Sequence, residues 1–452
     1  MADVMELPPP LHRGERLPPR GRPGVVMQRG YSLRSMAGLV GGVAVLLVMA
    51  GPARGAEPGS AEAKADSLAA VTEELAGKLE GLTEQVQLLQ TDTDKLKKVK
   101  FTGYVQARYD ASQASDDSVK ASGNPLVLAP TNLDRFYIRR ARLKATWDPL
   151  DHTQGVVYID GGADRQLRLL EAYVLMSDPW TPDQRHRLTF GQFNVPFGYE
   201  LERSSSLREL PERSRAENVL FPGERDRGIS LADRWSDRLE THLGVFNGGG
   251  INQVDFPVLD PTASKDYTAR ARLSLGQLDV AASAYTGENV VALTGPDVTT
   301  DRTRFGGDAQ GYWELPKAGG GTLRGEFYVG EEVNPDSVFV LTTRPSTTQP
   351  TRLLKPGAVA SHLDSEFLGW YLMLVQNLGD RLQAAIRYDA YDRNVDVDGD
   401  DYTRWNFGIN WFYDGYTRFT LAYEIPDVES TAGVPVPTTE DNLLTFQAQF
   451  KF

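Results

Sequence analysis

From Phe101 to Phe452, apolar and polar residues alternate with period two, the mark of strands with one apolar face and one wet face. In 136–147, Tyr137, Ala141, Leu143, Ala145 and Trp147 share a face, with Arg139 an exception; Arg140, Arg142, Lys144 and Thr146 share the other. Phe305, Ala309, Trp313 and Leu315 likewise oppose Arg302, Arg304, Asp308, Gln310 and Glu314. Leu382, Ala384, Ile386, Tyr388 and Ala390 oppose Gln383, Arg387 and Asp389. Tight turns at Asp148–His152, Gly276-Gln277, Asn377–Asp380 and Asp414-Gly415 take turns with long polar loops at 111–133, 194–226, 247–265, 287–301, 333–364, 392–401 and 426–440. This layout predicts an all-β transmembrane barrel over 101–452, of about sixteen antiparallel strands, with short turns on the periplasmic side and long loops outside. A sheet in lipid must close, because no backbone group there can go unpaired. An even strand number puts both ends of the barrel on the short-turn side. Trp147, Tyr388, Trp411, Tyr413, Phe419 and Tyr423 fit an aromatic girdle near strand ends.

A second periodicity precedes the strands. Leu68, Leu75, Leu82, Leu89 and Leu96 recur every seven residues, with Thr72, Leu79, Val86 and Thr93 at the partner positions. Such a repeat predicts an α-helical coiled coil over 56–100, placed in the periplasm, and therefore an oligomer of two, three or four helices. The alternative is a lone amphipathic helix. Ahead of it, 1–55 reads as a leader. Arg29 and Arg34 precede the apolar run Met36–Ala50, and Ala53-Arg54-Gly55 offers a small-x-small cleavage site, so 27–55 is expected to be a secretory signal peptide. A membrane anchor is the alternative.

Composition narrows the class. Cysteine is absent, which removes disulfides and thiolate chemistry. The net charge of −13 argues against nucleic-acid binding. Asn394-x-Asp396-x-Asp398-Gly399 imitates the start of a calcium loop, but its twelfth position is Trp405 where a bidentate Glu is required. The five His residues are scattered, and no phosphate loop, nucleophile elbow or dinucleotide fingerprint occurs. Neither an enzyme, a metal nor a cofactor is expected.

The last strand alternates Leu444, Phe446, Ala448, Phe450 and Phe452 against Thr445, Gln447, Gln449 and Lys451. It is similar to the terminal strand that outer-membrane barrels present to their assembly machinery. Phe136–Leu143, Leu170–Val174, Phe190–Gly198, Phe221–Gly228 and Val245–Gly248 together make the mature chain resemble the phosphate-selective porins O and P over almost its whole length. The resemblance implies a sixteen-stranded barrel in the outer membrane, a trimer, a coiled coil ahead of the barrel, and a loop folded inward to narrow the pore. That loop is expected at 194–226. Ser204, Ser205 and Arg213 match the family's serine pair and following arginine; Arg139 and Arg140 match its strand arginines, and Arg108 matches more weakly. Arg140, Arg142 and Lys144 form a basic ladder on the expected lumen face. Guanidinium groups and hydroxyls there would replace the hydration of a small inorganic anion. Residues 194–227 hold six Arg against seven acids, so loop arginines can equally serve as internal braces. The expected function is passive passage of small hydrophilic solutes, anions such as phosphate first. The rivals are a structural anchor tied to the cell wall through the coiled coil and a non-selective or cation-preferring porin.

Overall fold

The computed structural model describes residues 58–452 except 114, 116, 118, 122–127, 131, 163–166, 182, 252–259, 261, 292–297, 334–338, 344–349, 355–363, 397–400 and 429–440. The expected leader and signal peptide lie outside the described residues. Two units are present, divided after Lys97.

The first unit carries one helix, α1 (Pro58–Lys97). Its Ala, Leu, Glu, Lys and Gln residues are strong helix formers, which accounts for its 40-residue length. The expected coiled coil is corrected here. One substantial helix precedes the barrel, and Val71, Leu75, Leu79, Leu82 and Val86 remain exposed on it. A heptad stripe establishes amphipathicity, whereas a coiled coil needs a second helix to receive the stripe.

The second unit is a closed barrel of sixteen antiparallel strands. They are β1 (Val99–Ser112), β2 (Arg135–Leu150), β3 (Thr153–Asp160), β4 (Arg168–Ser177), β5 (His186–Asn194), β6 (Arg225–Arg234), β7 (Leu239–Phe246) and β8 (Asp266–Ser274). There follow β9 (Leu278–Val291), β10 (Val298–Leu315), β11 (Gly319–Val333), β12 (Asp364–Leu378), β13 (Leu382–Asp392), β14 (Tyr402–Phe412), β15 (Thr417–Val428) and β16 (Leu443–Lys451). Each strand pairs with its sequence neighbours, and β16 returns to β1 in register Val105↔Phe450. At the seam Gly103 and Phe452 exchange two backbone hydrogen bonds of 2.9 Å. The Phe452 ring covers Gly103, where a Cβ would lie 2.7 Å from the ring and 2.4 Å from the Arg142 carbonyl.

Exposure inverts the soluble rule. Phe305, Phe327, Leu372, Ile409, Leu421 and Phe446 are exposed, whereas Gln106, Arg302, Asp308, Arg324, Arg387 and Asn410 are buried. The outer face therefore meets lipid and the inner face carries the charge. Trp411, Tyr413 and Phe419 cluster near the Asp414-Gly415 turn, and Trp370, Tyr388 and Trp405 form a second group.

Two local expectations change. The stretch 287–301 is largely strand: β9 and β10 stay paired out to Val291↔Val298. On β2, Tyr137 faces inward rather than with Ala141. A β-bulge is the reason: Gln106 pairs with Arg140, but Ala107 pairs with Ile138, leaving Arg139 as the extra residue. Two residues then oppose one, and the phase of the alternation slips. Phe136 and Ile138 point out, while Tyr137, Arg139, Arg140 and Arg142 bond to lumen groups.

Candidate functional site

The segment between β5 and β6 is anchored at its neck, where Val195 N donates to Glu224 O at 3.1 Å. Its sequence is apolar where it leaves the strand, and Phe197, Leu201, Leu220 and Phe221 are buried. They pack on Phe246, Tyr285, Tyr328, Phe367 and Tyr391, aromatic residues of the inner wall. The ring centroids of Phe197 and Phe221 lie 4.9 Å apart. Leu210 makes a second apolar contact with Tyr371, Met373, Val375 and Ala385. Because these partners sit on the inner faces of strands, the segment lies inside the barrel.

Polar bonds tie the segment to strands around the ring. Gly198 N donates to Ser283 Oγ on β9 at 3.1 Å, and Glu326 on β11 accepts from Tyr199 N and from Glu200 N. Asn410 on β14 donates to Glu209 O at 2.8 Å, Gln449 on β16 to Ser206 O at 3.0 Å, and Gln106 on β1 to Ser205 O at 3.2 Å. A short helix, α2 (Arg215–Leu220), returns the chain towards β6. Asp389 on β13 meets it, accepting from Arg215 N at 3.0 Å while also bonded to Arg387 and Arg404.

The predicted site residues fall into three groups. Arg108, Arg139 and Arg140 converge on a single carboxylate, Glu212, at 2.9, 2.8 and 3.0 Å. The bulge makes this convergence possible, since regular alternation would send one of two adjacent arginines into lipid. Burial acts against the charge of Glu212, but Arg140, Arg139 and Arg108 outweigh it and hold the carboxyl well below the usual range. In the second group, Arg142 donates to Asp160 at 2.8 Å and to Ser205 Oγ at 2.9 Å, and Ser205 Oγ also bonds the Tyr104 hydroxyl. Lys144 pairs with Glu171 at 3.1 Å, and Ser204 Oγ lies 3.1 Å from Ser206 Oγ.

Arg213 stands apart. It is 2 % exposed, and its guanidinium donates to the carbonyls of Glu200, Leu201 and Arg203. It also pairs with Glu217 at 2.9 Å and with Glu224. Arg225 and Arg208 reach the same Glu224, at 2.9 and 3.4 Å. Burial would raise the Glu224 carboxyl, but Arg213, Arg225 and Arg208 hold it well below its ordinary value. Arg213 thus braces the inward segment from within.

Sequence reasoning passed over the Glu212 hub itself and the Arg387–Asp389–Arg404 cluster. The second had a signal, since Arg387 and Asp389 recur at i, i+2 on the wet face of one strand. The first had none, because it joins residues about seventy to a hundred positions apart. Among the described residues, no group of His, Asp or Glu is placed to hold a metal ion.

Comparison with known proteins adds to this picture. Residues 128–306 match the family model described as phosphate-selective porin O and P. No curated protein sequence matches the chain. Among solved structures, the fold is similar to OmpT, an outer membrane protein of Vibrio cholerae, at 12% identity and TM-score 0.50, covering 78% of this chain and 99% of that one. It is also similar to Salmonella typhi OmpF, at 10% identity and TM-score 0.52, covering 78% of this chain and 97% of that one.

Proposed function

We propose that this closed sixteen-stranded barrel, whose residues 128–306 match the phosphate-selective porin O and P family, is an outer-membrane channel that favours small hydrophilic anions, with phosphate the first candidate. The observation that carries the anion preference is the imbalance at Glu212: three guanidinium groups share one carboxylate, and arginine cannot release its proton. An excess of fixed positive charge beside a water-filled path attracts anions and repels cations.

In this reading the segment 195–224 is the constriction. Arg108, Arg139, Arg140, Arg142 and Lys144 supply its basic wall, Ser204 and Ser205 its hydroxyls, and Arg213 holds its shape. The protein acts in transport, not catalysis. A homotrimer belongs to the same reading, in keeping with the trimer form reported for the Vibrio cholerae protein, as does delivery to the assembly machinery through the strand ending at Phe452.

Planar-bilayer recordings of the refolded full-length chain in a potassium chloride gradient test the preference. The expected reversal potential has the sign of chloride permeation, and added phosphate lowers the current. Equal permeability to potassium and chloride would sink the anion preference. A cation-preferring porin, the rival that the net charge of −13 favours, would give the opposite sign.

A further inference from the structure

We propose that Arg108, Arg139 and Arg140 form a carboxylate-binding subsite which the loop's own Glu212 occupies in this structure and which a carboxylate-bearing solute takes over in passage. The inference rests on the channel reading above and deepens it.

The geometry is that of a receptor for a planar anion. Arg139 grips Glu212 side-on, with Nε donating to Oε1 at 2.8 Å and a terminal nitrogen to Oε2 at 3.1 Å. Arg108 adds a bond to Oε1 at 2.9 Å and Arg140 one to Oε2 at 3.0 Å. Each oxygen thus accepts two bonds, which fills the acceptor capacity of a carboxylate. Paired donors in one plane suit a carboxylate in particular.

Three further features separate the cluster from a permanent internal brace. First, one carboxylate neutralises one of three cations. The other nearby acid, Asp110, is bonded to the hydroxyls of Tyr137 and Thr445. Second, the Nε groups of Arg108 and Arg140 are buried without a hydrogen-bond partner among the described residues, so the cluster holds donors that Glu212 leaves unused. Third, the Glu212 and Arg139 side chains are 23% and 29% exposed, with Arg108 and Arg140 buried behind them, whereas Arg213 and Glu217 in the brace are 2% and 1% exposed. Water reaches the first pair and is shut out from the second. The Glu212 main chain is held separately, its carbonyl accepting from Arg387 at 3.1 Å. Its side chain can therefore exchange places with a solute without the loop leaving the wall.

The probe is acetate, added to full-length protein as wild type, E212A, E212Q and the double variant R139A/E212A. Vacating the subsite is expected to lower the half-blocking acetate concentration about tenfold in E212A, the effect of about one charge-assisted hydrogen bond. A smaller shift is expected in E212Q, and loss of the effect in R139A/E212A. An acetate sensitivity in E212A and E212Q equal to that of wild type would overturn the proposal. Thermal unfolding in detergent with and without acetate gives a readout that needs no current. Acetate should raise the unfolding temperature of E212A and not of wild type; equal responses overturn the subsite. Absence of current from wild type would refute the channel reading alone, because the unfolding measurement still decides the subsite.

Discussion

At the scale of single residues, the arginines of this lumen do two different jobs with one functional group. Arg213 and Arg139 are both guanidinium groups bonded to acids. Arg213 donates to three main-chain carbonyls and lies against two glutamates in a buried pocket, whereas Arg139 holds one carboxylate at the edge of water. Burial tells them apart; residue type and spacing in the sequence do not. The depressed carboxyls of Glu212 and Glu224 set a pH window. Their folded values lie well below the ordinary one of about 4.3. The stabilisation they give is therefore present above that ordinary value and is lost only as pH falls through the lower folded value. Amide hydrogen exchange of residues 195–224 should accordingly stay slow, after correction for the intrinsic rate, from pH 7 to pH 5. Loosening within that interval would contradict the assignment.

At the scale of elements, the alternating strands were the legible part. Period two over 302–315, 381–391 and 444–452 identified which face meets lipid, and the structure agrees there except at Glu314 and Lys451, which are exposed at the strand ends. What misled was a phase slip. One extra residue at Arg139 moves Tyr137 to the lumen, and nothing in a single sequence marks a bulge that has no glycine. The coiled coil failed for another reason: a stripe on one helix says nothing about whether a second helix is there to meet it. The inward segment lies between these cases. Its family motif was visible, but its docking surface is a set of aromatic residues scattered over β7, β9, β11, β12 and β13. The fully buried Phe197 ring is the centre of that docking. Phe197→Ala should cost about 3–5 kcal/mol, and the loss should fall on the loop, because the barrel's hydrogen-bonded ladder does not pass through it. Faster proteolysis of 195–224 with the barrel intact is the expected result. A matched loss of barrel stability with no change in loop cleavage would show that the ring supports the wall instead.

At the scale of the whole molecule, sixteen strands are held by neighbour-to-neighbour pairing except at one seam, where β1 meets β16. Gly103 is the tight spot of that seam. A side chain there meets the Arg142 carbonyl, which cannot move without the β1–β2 ladder, and displaces the Phe452 ring. Gly103→Val is expected to leave the individual hairpins able to form but to impair closure. The check is the heat-dependent shift in gel mobility that separates closed from open barrels. A variant population fully closed at wild-type rate would show that the seam adjusts.

The same seam also orders events in time. Until residues 443–452 dock, the free edge of the first strand has a partner on one side only. Every other pairing joins strands that are neighbours in the chain; this one joins segments more than three hundred residues apart, where chain closure is slow. An unfinished barrel is therefore a sheet with a sticky margin, and the cell must shield that margin for the whole interval. The residue that ends the interval is the phenylalanine that settles over Gly103.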